Sequence, residues 1–132
     1  MTSLESELVD AEDLGTAGYG GTEPAPEVDE EAYSAEVAGK VYYVTLWGKG
    51  PAYIDPDAGK PAAGTCGAGK RAVLGQRNFK KKFSITNKGK TYWNTWCVCV
   101  VNDDQGNKAR WVPAIFVTTG GNGQRVPNVG DF

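Results

Sequence analysis

From Asn78 to Thr86 apolar and polar residues alternate, and Asn87-Lys88-Gly89-Lys90 joins this stretch to a second one, Thr91 to Val101, that is aromatic and β-branched and reads as a long strand. Phe79, Phe83 and Ile85 fall on one side of the first stretch, and Lys80, Lys82, Ser84 and Thr86 on the other; Lys81 interrupts the apolar side, as residues of edge strands do. A period of two belongs to a β-strand, because successive side chains leave on opposite faces. A short turn containing glycine joins antiparallel neighbours. The centre of the chain is therefore predicted to be a β-hairpin, and the rest of the fold must be built around it.

Other β-rich runs flank this hairpin. "KVYYVTLW" begins at Lys40, "RAVLG" covers 71–75, and "ARWVPAIFVTT" follows the turn signal "NDDQGN". Pro113 in the last run fits an edge, a bulge or a short helical turn. Residues 48–70 are mostly Gly, Pro, Ala and Asp, which predicts a long loop with a short strand near Tyr53 and Ile54. Five or six strands in a meander, with no strong helix, would leave an open sheet with one bare face and two edges. The expectation is an all-β fold that closes into a small five- or six-stranded barrel over 40–118, followed by a loose C-terminal segment, 119–132.

Charge divides the chain at the same boundary. Residues 1–39 hold eleven acidic residues and no Lys or Arg, whereas residues 40–132 hold all fourteen basic residues and five acids. The formal charges are −11 and +9. Residues 1–39 are predicted to be an acidic, largely unstructured tail or docking arm. A short helix is expected near its start, where Leu4, Leu8 and Val9 share a side and Ser3 supplies a cap. The start lacks the basic-then-apolar order of a secretory signal, and no run of about 18 apolar residues marks a membrane span.

Several chemistries lack the residues they need. There is no histidine, which removes the usual general base. "GTCGAGKR" at 64–71 matches seven of eight positions of the phosphate-cradling pattern, but Arg71 stands where a hydroxyl residue would hold magnesium. No buried strand precedes it and no helical face follows, so a basic, flexible surface loop is expected, with Lys70 and Arg71 able to reach a nucleic-acid phosphate. Cys66, Cys97 and Cys99 are odd in number, and C-x-C is not a zinc-finger spacing, so reduced thiols and no metal are expected. Asp103 and Asp104 lie in a turn signal and suit turn stabilisation. The expectation is a non-enzymatic chain without cofactor, intracellular or in a virion.

What remains is a basic and aromatic set. Lys80, Lys82, Lys88 and Lys90 lie on or beside the hairpin, with Tyr92, Trp93 and Trp96 on its second strand. Lysines neutralise phosphates and rings stack on bases, which is what a single-stranded nucleic acid needs. In "YWNTW", Tyr92, Asn94 and Trp96 share one face and Trp93 and Thr95 the other, so aromatic residues occupy both faces of the strand.

Residues 78–118 resemble an SH3-like barrel. "NFKKKFSIT" looks like the strand after the first long loop, "TYWNTWCVCV" like the segment that starts with a tryptophan pair and runs into the central strand, and "NKARWVPAIFV" like the closing pattern. The resemblance implies a groove for extended proline-rich peptides formed by Trp93, Pro113 and Phe116. An OB-like barrel accommodates "KKFSITNKGKTYW" as its second and third strands. Two functions follow from these readings. One is single-stranded nucleic-acid binding under an acidic regulatory tail. The other is a protein-assembly or adaptor module, capsid- or head-associated, that uses the tail as a docking arm.

Overall fold

The computed structural model describes residues 6–8, 41–58, 60–87 and 89–132. Lys88 and the remainder of the acidic tail, with its expected cap and most of its expected helix, lie outside the described residues. Seven strands follow in chain order: β1 (Ser6–Leu8), β2 (Tyr42–Leu46), β3 (Gly50–Ala52), β4 (Gly64–Cys66), β5 (Gly69–Asn87), β6 (Lys90–Asn102) and β7 (Lys108–Pro113). Two 3-10 turns cover Pro56–Ala58 and Ala114–Phe116. The all-β character read from the sequence holds. Ser6–Leu8 is a strand and not part of a helix, because so short a helix is marginal in isolation whereas the edge of β5 offers backbone partners.

"RAVLG" and "NFKKKFSIT" are one strand of 19 residues, β5, rather than two. The predicted hairpin forms, with Asn87 opposite Lys90 and Ser84 opposite Trp93. Its register slips between Asn78, opposite Trp96, and Phe83, opposite Asn94. The lysine run occupies that bulge, and Lys80 takes a positive φ of 65°. The bulge resolves the break in alternation at Lys81: Phe79 and Phe83 both turn inward, while Lys80 and Lys82 stay exposed. Phe79 meets Trp111 edge-on at 4.8 Å, and Phe83 lies 5.6 Å from Tyr53.

The core gathers Val44, Leu46, Val73, Ile85, Val98, Val100, Val112, Ile115, Phe116 and Val117, all buried. Each such side chain contributes about 1.5–3 kcal/mol by leaving water. The long loop of 48–70 is a ribbon of β3 against β4, and Tyr53 bridges to Trp111 on the outer side of β7. Pro113 ends β7 and leads directly into the second 3-10 turn.

The closed barrel expected from the strand count does not form. The main sheet runs β1-β5-β6-β7, with β2 also on β5, and stays open. Its two ends approach through one bridge, Leu46 to Val117, supported by bonds from Trp47 N to Phe116 O and from Thr118 N to Thr45 O, both 2.9 Å. The 3-10 turn at Ala114–Phe116 bends the backbone out of β geometry where a continuous ladder would have to continue.

The C-terminal segment is not loose. Val126 and Val129 are buried in the core cluster. The Gln76 side chain, 0% exposed, donates to Val126 O (2.8 Å) and Val129 O (2.7 Å) and accepts from Val126 N (2.7 Å). Asn94, also 0% exposed, donates to Gly121 O and Gln124 O, each at 2.9 Å. Residues 130–132 then run along β5: Gln76 N donates to Gly130 O, and Phe132 N to Gln76 O. A Cβ at Gly75 would sit 2.9 Å from Phe132 Cα, so this approach needs glycine. The outer edge of β5 is thus covered in three pieces, by β2, by residues 130–132 and by β1.

Candidate functional site

The bulge on β5 brings part of the expected set together. Lys82 Nζ stands 5.0 Å above the Trp93 ring, and Lys80 is exposed two residues away. Lys80 is held in its turn by its own N–H, which donates to Asn78 Oδ1 at 3.0 Å. Trp93 is half-buried. Its N–H donates to Asn122 Oδ1 and its carbonyl accepts from Gly123 N, so the C-terminal segment fixes this part of β6. Gly123 has a φ of 70°, and a Cβ there would collide with the Trp93 ring, so glycine is required on both counts. Lys81 turns the other way, its Nζ 5.5 Å from the Phe83 ring centre and 6.0 Å from that of Tyr53.

The remaining expected contacts are dispersed. Lys90 is exposed at the hairpin end, three register steps from Trp93, or about 10 Å. Tyr92 meets Trp47 edge-on at 5.4 Å and packs on the core. Trp96 also packs on the core and carries the Arg125 guanidinium at 5.6 Å. Trp93 and Trp96 therefore each already hold a cation of the chain. A base stacking on either ring from that side would displace it, against an attraction of about 0.5–1 kcal/mol at exposed sites.

Lys70 and Arg71 lie at the far end of β5. Lys70 is exposed, with Nζ 5.8 Å from the Tyr43 ring. Arg71 is committed to the fold: Nη2 donates to Asp104 Oδ1 at 2.5 Å and to Gly67 O at 3.2 Å. Asp104 N donates to Thr65 O, and Thr65 N to Gln105 Oε1. The glycine-rich stretch 64–71 is therefore not a flexible loop. It is strand β4 and the start of β5, clamped to the turn at Asp103–Asn107. The residues after Lys70 continue as strand, so the helix N-terminus that a phosphate loop uses is not formed there.

The predicted peptide groove is not assembled. Phe116 is 0% exposed, packed against Gly50 and Trp47. Pro113 is buried opposite Cys97. Only Trp93 of the three is half-exposed. The core of this sheet uses the aromatic side chain of the closing pattern to support the ribbon, where a groove would need it at the surface.

Cys66, Cys97 and Cys99 are buried and free. Burial pushes the Cys66 thiol up to about 12 and the Cys99 thiol up to about 11, so both are protonated at neutral pH. Asp103 behaves as the turn residue expected. Burial alone would raise its pKa, but hydrogen bonds from the Asn107 side chain and from the Asn107 and Gln105 backbone, with the Arg110 charge, carry it below the usual carboxylate value.

Three contributors escaped the sequence reading. Asn94 and Gln76 seat the C-terminal segment, and their partners are backbone groups 27 to 53 residues away, which no local pattern announces. Arg77 sits between the rings of Phe79, Trp111 and Phe132 at 5.3–5.7 Å. Its place close to Phe79 in the sequence was the available signal. Comparisons with protein-family models, with curated proteins and with solved structures give no match. Among the described residues, no helix is long and apolar enough to cross a membrane.

Proposed function

We propose that this chain is a non-enzymatic binding module that takes a single-stranded nucleic acid along the lysine bulge of β5. The observation that carries this reading is the Lys82–Trp93 pair beside exposed Lys80. It offers a cation for phosphate and a ring for a base side by side. The scaffold is proposed to be an incompletely closed SH3-like arrangement. Supporting it are the order of strand, ribbon insertion, three-strand meander and 3-10 turn, and the return of Val117 to Leu46. The free buried thiols suit a reducing, intracellular or virion setting.

The test is binding of labelled single-stranded DNA and RNA to the full chain at two salt concentrations. Changing Lys80 and Lys82 to Glu should weaken binding at least tenfold and flatten the salt slope by about 0.7 for each phosphate no longer neutralised. Trp93→Ala should weaken binding with the slope unchanged, in a variant shown to be folded by its melt. If the chain binds neither polymer at about 50 mM salt, this reading fails. The assembly or adaptor reading then takes its place, supported by the seating of Ser6–Leu8 on the sheet edge.

A further inference from the structure

We propose that the outer edge of β5 at Lys82–Ser84 is a strand-exchange site, where the N-terminal arm of a second copy of this chain replaces the chain's own β1. The three covers of this edge differ in how they are held. β2 contributes five register pairs and is tied to the segment after the 3-10 turn. Residues 130–132 are locked by Gln76 and its buried bonds. β1 contributes three parallel pairs, Ser6 with Lys82, Glu7 with Phe83 and Leu8 with Ser84. Among the described residues, no strand pairs with the outer edge of β5 beyond Ser84, at 85–87, so a longer stretch of arm has room there.

Reach and charge identify the occupant. From Val73, where β2 is paired, to Ser84, where β1 is paired, the facing strand spans seven register steps, Val100 to Trp93. That is about 23 Å. Thirty-two residues, 9–40, connect β1 to β2's lead-in at Val41; a chain of this length can span at most about 110 Å. The same arm can therefore reach its own edge or that of a neighbour. The arm region carries −11 and the remainder of the chain +9. Arms repel one another, and the edge they can add to is the one beside Lys80–Lys82. Tethering gives the chain's own arm an effective concentration of about a millimolar. At micromolar protein the arm stays at home; as protein concentration nears the millimolar range, as inside an assembly, exchange sets in.

The experiment uses full-length chain throughout. One population carries Ser3→Cys with a nitroxide; the native thiols are all buried, which leaves the new cysteine as the reactive one. A second population is 15N-labelled and carries no nitroxide. In a mixture at about 1 mM, the amides of Lys82–Ser84 in the 15N chains should lose at least half their intensity, and recover on dilution to roughly 50 μM. Glu7→Pro with Leu8→Pro in the nitroxide-bearing chains should abolish the loss, because one of two adjacent residues must donate into the ladder and proline cannot. Broadening that survives the double substitution, or no broadening in the mixture, would each overturn the proposal. None of these readings depends on nucleic acid, so the outcome is separate from that of the binding test above.

Discussion

Ser6–Leu8 and residues 130–132 both lie along the outer edge of β5, and they are held in different ways. Residues 121–132 are polar and glycine-rich, yet two side chains that are 0% exposed, Gln76 and Asn94, bond to four of the segment's carbonyls and one of its amides. Val126 and Val129 add apolar burial. Ser6–Leu8 meets the same edge through backbone pairing, over three residues. The comparison teaches that a segment of low hydrophobicity becomes part of a fold when buried amides satisfy its backbone, because each group left unpaired in the interior would cost about 1–3 kcal/mol.

The largest test of that contrast is Gln76→Ala. It strands the Val126 amide and carbonyl at once and leaves Val129 O with only its bond from Arg125 Nη2, so unfolding by heat or denaturant should show a loss of roughly 2–3 kcal/mol or more. A loss below about 1 kcal/mol would mean that the segment is held mainly by its valines. Asn94→Ala removes the bonds to Gly121 O and Gln124 O and the acceptor for Trp96 N, and a loss of about 2 kcal/mol is expected. Acid should then separate amide hooks from carboxylate turns. The folded pKa of Asp103 lies below its unfolded value of 3.8, so its contribution is present above pH 3.8 and disappears as pH falls through the folded value. Stability measured from pH 6 downward (~3.8 being the pivot) should drop below that point, and Asp103→Asn should flatten the drop; the amide hooks do not titrate. The smallest effect belongs to the arm. Deleting residues 1–38 should change stability by less than about 0.5 kcal/mol, and a cooperative melt should remain. Loss of cooperativity would place the arm on the same footing as the C-terminal segment.

These differences follow the limits of what the sequence displays. The β5–β6 hairpin is legible because alternation and a glycine turn are local, and Asn87 does face Lys90. The fusion of two expected strands into β5 is not, because Gly75 reads as a break unless the close approach of Phe132 is known. Lys82 and Trp93 meet as the paired-strand reading implies, since Ser84 opposite Trp93 puts Lys82 on the same side. Arg71 reads as a phosphate ligand because its partner, Asp104, is 33 residues away in a separate turn. The SH3-like resemblance assigns Phe116 to a groove; its burial depends on Gly50 leaving space for the ring.

The hairpin turn at Gly89 also has a kinetic consequence. The β5–β6 ladder near Asn87 and Lys90 closes a loop of a few residues, while the Gln76 bonds close loops of 50 and 53 residues. Loop closure grows more unfavourable with length, and contacts of long sequence separation form late. The hairpin then belongs to the early nucleus, and the C-terminal segment docks onto a sheet already in place. Weakening the hairpin near Thr86 and Thr91, whose hydroxyls are bonded at 3.1 Å, acts on the rate of folding, whereas loosening Gln76 acts on the rate of unfolding. The residues that keep this protein folded and those that start its folding are, on this account, different residues of the same strand.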